Sequence, residues 1–527
     1  MIRPGIGATK NRSASVATPQ EKLAASLEVL SALQEGGRTV LRATDLSRTH
    51  RERLVRQGFI APVINGWYIP SRPDAPVGET TAWYASYWDF VRDYLNDRFG
   101  DDWSLSPEAS LLIHAGQWRV PDQLLVRSPR AGGQVTALPH ATSLYDLRLA
   151  GAGQADLAVV EGVRVYAPEA ALLAAGPGVW TTSATELRTV LASLADIGRL
   201  LEGLLNGGHT VIAGRIAGAL RNIGRDREAD DIIGAMKAAG YDAVRETDPF
   251  EGRVAGYVYR RDPSPYVQRI RLMWQTMRVD VLAVFPRAPE TPVAVDAYLD
   301  EVDGLYVTDA YHSLSIEGYR VDAALIQRVR RGDWNPEAVE ADRRQRDALA
   351  ARGYFDAFQS VKESVRRVVL GENPGRIADE DHRSWYRGLF GPSVQAGLIP
   401  PGALAGYRNG PVYIRGSRHV PLNPAAVRDA MAVLLELLAE EPEPAVRVVL
   451  GHFIFVYIHP YLDGNGRMGR FLMNLMFASG GWSWTVVPVQ RRTAYMAALE
   501  SASAGQDIRP FARLLGELAG QAAPPAP

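Results

Sequence analysis

His459-Pro460-Tyr461-Leu462-Asp463-Gly464-Asn465-Gly466-Arg467-Met468-Gly469-Arg470 gathers a base, a hard acidic oxygen ligand, glycines and two arginines into a dozen positions. Upstream, Val446 to Ile458 is an apolar run with helical character, and Pro460 pushes the residue before it out of the α region, so this helix should end at His459. Asp463-Gly464-Asn465-Gly466 then supplies a turn whose backbone N–H groups converge on one spot. A second helix is expected to start just beyond, with its positive dipole end toward the same spot. Helix, anion-binding turn, helix is a construction for phosphates. Arg467 and Arg470, three apart, project from one face of the second helix and reach successive phosphate groups. Asp463 offers the oxygen ligand that Mg²⁺ prefers, and His459 is free to act as a base at neutral pH.

The 527 residues around this stretch are too many for one core and predict several domains. Hydrophobic residues make up 46% and charged residues 22%, values of a folded globular chain rather than a disordered one. With 58 basic against 59 acidic residues the net charge is -1, so any binding to nucleic acid must come from a local patch. No cysteine is present, which excludes disulfides, thiol nucleophiles, zinc–thiolate sites and iron–sulfur clusters and fits a reducing compartment. The N-terminus lacks the apolar core of a secretory signal. Apolar runs such as Val448 to Ile458, interrupted by His452, fall short of a membrane span, so the expectation is a cytoplasmic protein without a membrane partner.

Outward from the central motif, the second half reads as mainly α, and VFPRAPETP, with Pro286, Pro289 and Pro292, reads as a linker or domain entry. Near the other end, VLRATDLS and RTHRERLVRQGF carry short helical patterns, followed by IAPVINGWYIP, whose Asn65-Gly66 is a hairpin signal. Helix, turn, helix and hairpin predict a winged helix-turn-helix. Arg38, Arg42, Arg48, Arg51, Arg53 and Arg56 against Asp45 and Glu52 leave about four positive charges on it, which reads as a duplex-DNA contact, with protein docking as the alternative. The chain is therefore read as multidomain and mainly α. Its expected parts are a disordered lead at 1–20, a winged helix at 21–72, an α+β region at 80–175, a helical connector at 180–248, an all-α catalytic region at 250–520 and a disordered tail at 521–527.

The central motif resembles the signature of the Fic family, His-Pro-aromatic-x-Asp-Gly-Asn-Gly-Arg-x-x-Arg, with Tyr461 in the aromatic slot, and the likeness extends over roughly Asp296 to Gly520. The resemblance implies a protein adenylyltransferase that moves AMP from Mg-ATP to Ser, Thr or Tyr hydroxyls of a target protein. It assigns His459 as general base, Asp463 to Mg²⁺, and Gly464, Asn465, Gly466 and Gly469 to the phosphate loop. Arg467 and Arg470 take the β- and γ-phosphates. YRNGPVYIRGSRHVPLNP looks like the family's flap, a β-hairpin of Val412, Tyr413 and Ile414 turning near Gly416, which docks an extended target segment by strand addition. Ser313-Leu314-Ser315-Ile316-Glu317-Gly318 matches the family's inhibitory pattern, Ser/Thr-x-x-x-Glu-Gly/Asn. Its inhibitory helix near 313–318 sets Glu317 against Arg470 and keeps the γ-phosphate from binding productively. In the first half, Arg38 to Pro70 and Trp83 to Ala150 resemble the AbiEi-type antitoxin family, with its N-terminal winged helix.

Competing readings are weaker. Gly464 to Gly469 also satisfies G-x-G-x-x-G, but no Asp or Glu occurs between Asp463 and Glu500 to hold a ribose, and none of the four lysines stands in a Walker A context. Remaining histidines lack metal-ligand spacing. The resemblance also implies that phosphate transfer would go with a lysine at the position of Gly466 and loss of Arg470, and this chain has both Gly466 and Arg470, which favours AMP transfer. Two alternatives stay open: a DNA-binding regulator whose Fic core senses nucleotide, and removal of AMP in the same site with Glu317 orienting a water.

Overall fold

The computed structural model describes residues 18–36, 38–75, 78–149, 153–262, 264–289, 294–331, 346–519 and 521. Most of the expected lead and tail lies outside them. The chain leaves the lead earlier than expected, because Thr18 and Glu21 form a reciprocal capping box that starts helix α1 at Pro19 (Pro19–Glu35). Strand β1 (Leu41–Arg42), helix α2 (Arg48–Arg56), and strands β2 (Ile60–Ile64) and β3 (Trp67–Pro70) follow, in an antiparallel sheet of order β1-β3-β2. The helix expected over VLRATDLS does not form. Leu41 and Arg42 pair with Tyr68 and Trp67, and the Asp45 carboxylate accepts from the Arg42 N–H at 2.7 Å, which turns the chain where a helix would continue. Leu30, Leu41, Leu46, Leu54 and Ile60 close a small core.

Helix α3 (Thr81–Phe99) buries Trp83, Tyr87, Phe90, Val91 and Leu95 against a mixed sheet, and each such side chain contributes about 1.5–3 kcal/mol. That sheet comprises β4 (Ser104–Leu105), β5 (Gln123–Ser128), β6 (Val135–Leu138) and β7 (Thr142–Arg148) in the order β4-β5-β7-β6, with β5 and β7 parallel. Helix α4 (Pro107–His114) and the hairpin of β8 (Leu157–Val160) and β9 (Val163–Tyr166) complete the layer. A helical unit follows, with α5 (Pro168–Ala174), α6 (Val179–Thr182), α7 (Ala184–Ser193), α8 (Gly198–Gly207), α9 (Thr210–Asn222) and α10 (Asp226–Ala238) around their own core.

One continuous core then runs from Val267 to Leu518. Its helices are α11 (Pro265–Val284), α12 (Val295–Ile316), α13 (Ala323–Arg331), α14 (Arg346–Val369), α15 (Pro374–Gln395), α16 (Val427–Glu440), α17 (Pro444–Ile458), α18 (Asn465–Ser479), α19 (Arg492–Gly505) and α20 (Arg509–Ala519). Among the described residues no strand occurs in this part. Of the stretch expected as a linker or domain entry, Pro286 and Pro289 are described and Pro292 lies outside the described residues; α11 before it and α12 after it share one core, and Phe285 packs edge-on to Trp482. Residues 411–420, expected as a β-hairpin, form no strand either. Pro411 has no N–H to give, and the backbone groups of the returning arm go elsewhere: the Arg418 N–H donates to Glu500 and the Arg418 carbonyl accepts from the Val120 N–H. No described helix is long and apolar enough to cross a membrane.

Candidate active site

Helices α17 and α18 pack against each other and hold the loop between them at the edge of the core. Helix α17 ends at Ile458, and His459 caps it in the left-handed conformation with φ 54°. Its Nδ1 lies 3.1 Å from the Val456 carbonyl, which can only accept, so Nδ1 carries the proton and Nε2 keeps a free lone pair. Burial, with Arg408 nearby, pushes the imidazole down to about 4, so it is neutral at physiological pH.

Gly464, at φ 80°, turns the chain into α18, and a side chain there would collide with Phe390. The first bond within the helix is from the Met468 N–H to the Gly464 carbonyl at 2.9 Å, so the N–H groups of Asn465, Gly466 and Arg467 precede the ladder and are available to an anion. The Asn465 side chain has another task. It donates to the Tyr461 carbonyl at 2.8 Å and accepts from the Tyr461 N–H at 2.9 Å, bracing the loop, so any phosphate contact at this position falls to its backbone. Tyr461 itself stacks on Tyr386 with centroids 3.8 Å apart. Gly469 lets α18 lie close to His452 and Val456 of α17.

Arg467 is 1% exposed, with its guanidinium between the rings of Tyr319 and Phe390, and its Nε makes no hydrogen bond. Arg470 is held from behind. Its Nε donates to Ser313 Oγ at 2.9 Å, and its Nη2 donates to the Ser313 carbonyl at 3.0 Å and to Glu317 Oε1 at 2.7 Å. Its Nη1, beside Gly466, makes no hydrogen bond. Burial alone would raise the Glu317 carboxyl, but Arg470 and Arg467 outweigh it and hold the group below its ordinary range. Gly318, at φ 87°, ends α12 and leaves Glu317 as its last turn's cap, facing α18.

Asp463 is the exposed member of the loop, with its side chain 63% accessible and 3.6 Å from Arg467. Among the described residues no group of three or more acidic or histidine side chains is arranged to hold a metal. A single carboxylate beside a phosphate loop nonetheless suits Mg²⁺, which takes one or two carboxylates and completes its shell with phosphate and water oxygens.

The segment expected as a flap is an irregular loop. Gly416 stands at a turn closed by the Ser417 N–H on the Ile414 carbonyl at 3.1 Å, and Tyr413 is exposed while Val412 and Ile414 are half-buried. Arg415 pairs with Glu79 at 2.9 Å, and the Gly416 N–H reaches Thr81 at 3.2 Å, so the loop leans on the start of α3. The arginines of the N-terminal unit are largely committed within the fold. Arg38 pairs with Asp45, Arg42 with Asp97 and Arg48 with Glu52, Arg51 donates to the Ala43 carbonyl and Arg53 to the Lys22 carbonyl; Arg56 is exposed.

Sequence reasoning missed Tyr319 and Phe390, which sandwich Arg467, and Arg408, which holds the loop from below. No local pattern announces them, because they reach the motif only through the packing of α12, α15 and the 407–423 loop.

Residues 380–477 match the family model described as Fic/DOC family. The match includes the whole loop from His459 to Arg470 and stops short of Glu317. Among curated proteins, the chain is similar to Protein adenylyltransferase fic-1 of Caenorhabditis elegans, 30% identical over 155 residues, 28% of this chain and 28% of that protein. It is also similar to Protein adenylyltransferase Fic of Drosophila willistoni, 34% identical over 125 residues, 23% of this chain and 24% of that protein. The similarity thus spans about a quarter of the length of these relatives. Among solved structures, a fragment of Fic-1 from C. elegans aligns over 64% of this chain and 93% of its own length, with 20% identity and a TM-score of 0.35. A Fic domain-containing signaling protein from Bacteroides thetaiotaomicron aligns over 48% and 92%, with 17% identity and a TM-score of 0.33.

Proposed function

We propose that the chain is a protein adenylyltransferase that transfers AMP from ATP to a Ser, Thr or Tyr hydroxyl of a target protein and is restrained by Glu317. The observation that supports this reading is the open N-terminus of α18, with unpartnered Arg467 Nε and Arg470 Nη1 edges in its first two turns and a neutral His459 just before the loop. The buried guanidinium edges would receive phosphate oxygens, for which planar fork donors are well suited. Asp463 is the residue to hold Mg²⁺, which when bound would neutralise charge on the phosphates.

In this mechanism the target hydroxyl oxygen attacks the α-phosphorus of ATP, and the bond from that phosphorus to the bridging oxygen of the β-phosphate breaks. Pyrophosphate leaves, and the hydroxyl proton passes to His459 Nε2. Nδ1–H on the Val456 carbonyl keeps the ring in the tautomer that can take it. Glu317 occupies Arg470 in the resting state, so the γ-phosphate lacks its partner until the glutamate withdraws.

The second reading, a nucleotide sensor within a winged-helix, DNA-binding regulator, has less support, since Arg51 and Arg53 are turned to backbone carbonyls of their own unit and Arg38, Arg42 and Arg48 are countered by carboxylates. Catalytic turnover separates the two. Wild type, Glu317→Gly and His459→Ala are incubated with Mg-ATP and read by intact mass. The proposal expects a mass gain of one AMP group in Glu317→Gly and none in His459→Ala; no gain in any variant, with or without candidate targets, sinks it.

A further inference from the structure

The most unusual charge in the catalytic core is Arg408. It is 4% exposed, yet among the described residues no carboxylate pairs with it. Burial lowers its guanidinium to about 10, and no acid offsets that cost. Every partner is a backbone carbonyl. Nε donates to the His459 carbonyl at 2.7 Å, Nη2 to the Ile458 carbonyl at 3.4 Å and to the Leu422 carbonyl, and Nη1 to the Gly410 carbonyl at 3.0 Å. Its own N–H donates to the Pro460 carbonyl at 2.9 Å. Three of these carbonyls are consecutive and form the end of α17. The other two, Gly410 and Leu422, stand at the two feet of the 411–421 loop.

Buried cations are retained where something compensates them, and here it is the negative end of the α17 dipole with its unpaired terminal carbonyls. His459 adopts a left-handed conformation that is uncommon and strained for a non-glycine residue. We propose that Arg408 is the positioning residue of the transfer reaction: it locks His459 in its left-handed pose and ties both feet of the 411–421 loop to the same point. The role rests on the adenylyltransferase reading for its functional meaning. The base and the 411–421 loop thereby share one anchor, so a change at Arg408 shifts both together. A lysine cannot replace it, because one ammonium lacks the span of a planar fork that reaches both chain segments.

The test uses the full chain carrying Glu317→Gly, with Arg408→Met and Arg408→Lys added separately. Hydrogen exchange is measured by residue, and AMP transfer at saturating Mg-ATP is measured beside the ATP Kd. The expected result is exchange about tenfold or more faster at 409–422 and 459–464 in Arg408→Met, with the middles of α17 and α18 unchanged. Transfer should fall by about a hundredfold with the ATP Kd unchanged, because misplacing a base costs turnover rather than nucleotide affinity. Arg408→Lys should retain the fold and still lose most of the transfer. Unchanged exchange at both segments, or transfer at the parental rate in Arg408→Lys, overturns the proposal, and Arg408→Lys decides alone if Arg408→Met does not fold. If the Glu317→Gly parent shows no transfer, the adenylyltransferase reading is what has failed, and the exchange pattern still decides whether Arg408 anchors the two segments.

Discussion

Glu317 Oε1 lies 2.7 Å from Arg470 Nη2 and at the same time stands over the Cα of Gly466, where any Cβ would collide with it. One carboxylate oxygen therefore occupies both the guanidinium and the space above the first turn of α18. An anion approaching that turn must displace it. Glu317→Gly should release the site, and a restraint of about 3 kcal/mol against the competent pose corresponds to a rate gain on the order of a hundredfold. Self-modification by one AMP group needs no known target and reads the gain directly. Equal labelling of wild type and Glu317→Gly would refute the restraint.

Arg470→Ala breaks the same ion pair from the other side, yet the opposite outcome is expected. It frees Glu317 but removes the donor that the proposed mechanism gives to the γ-phosphate, so transfer from ATP should stay at or below the wild-type level, and in the Glu317→Gly background it should fall by about a hundredfold. ADP, which lacks a γ-phosphate, should be bound equally well by Glu317→Gly with and without Arg470→Ala. Activation by Arg470→Ala would show that the pair matters only as a latch.

Base catalysis makes two demands on His459. His459→Ala should reduce transfer by a factor on the order of a hundred or more while ATP still binds, since the imidazole acts on the acceptor. The pH dependence is the sharper test. In the proposed mechanism the neutral ring is the active form, so rate should be lost as pH falls through its pKa, which burial lowers to about 4. In Glu317→Gly, which lacks an anion that favours the protonated ring, kcat/KM should be flat from pH 8 to pH 6. An unperturbed histidine would instead lose about fourfold over that range. A fourfold loss assigned to His459 would contradict the burial described here.

The loop was legible in the sequence because its chemistry is local. Pro460 ends α17, Gly464 supplies the positive φ, and both arginines lie on one face of a helix whose start is marked by the glycines. The 313–318 pattern was legible for the same reason, since Gly318 ends α12 and leaves Glu317 at the rim. Readings that depended on tertiary partners did worse. VLRATDLS has helical spacing, but strand pairing with Trp67 and Tyr68 overrides it. Residues 411–420 carry hairpin residues, but Val120, Thr81 and Glu500 take the backbone groups a ladder would need. Arg408 was invisible because nothing in YRNG distinguishes a buried clamp from a solvated arginine.

A buried ion pair joins the helical core that holds the loop to the helical unit before it. Arg269 of α11 and Glu186 of α7 are each 1% exposed and paired at 2.8 Å, and Arg269 Nε also donates to the Tyr457 hydroxyl at 2.9 Å. Tyr457 stands two residues before His459 and stacks on His419 with centroids 4.1 Å apart, so this pair supports the end of α17 from below. Glu186→Leu alone leaves a buried guanidinium without its counter-ion and should destabilise the chain by about 3–5 kcal/mol in denaturant unfolding. Arg269→Met in addition removes the orphaned charge, and most of that loss should return, because a buried ion pair is often replaceable by apolar groups of similar size. Transfer in the double variant, built on Glu317→Gly, should still fall by up to about tenfold, since Tyr457 has lost the donor that orients it next to the base. If Glu186→Leu costs less than about 1 kcal/mol, the pair is not the anchor between the two units that its burial and geometry indicate.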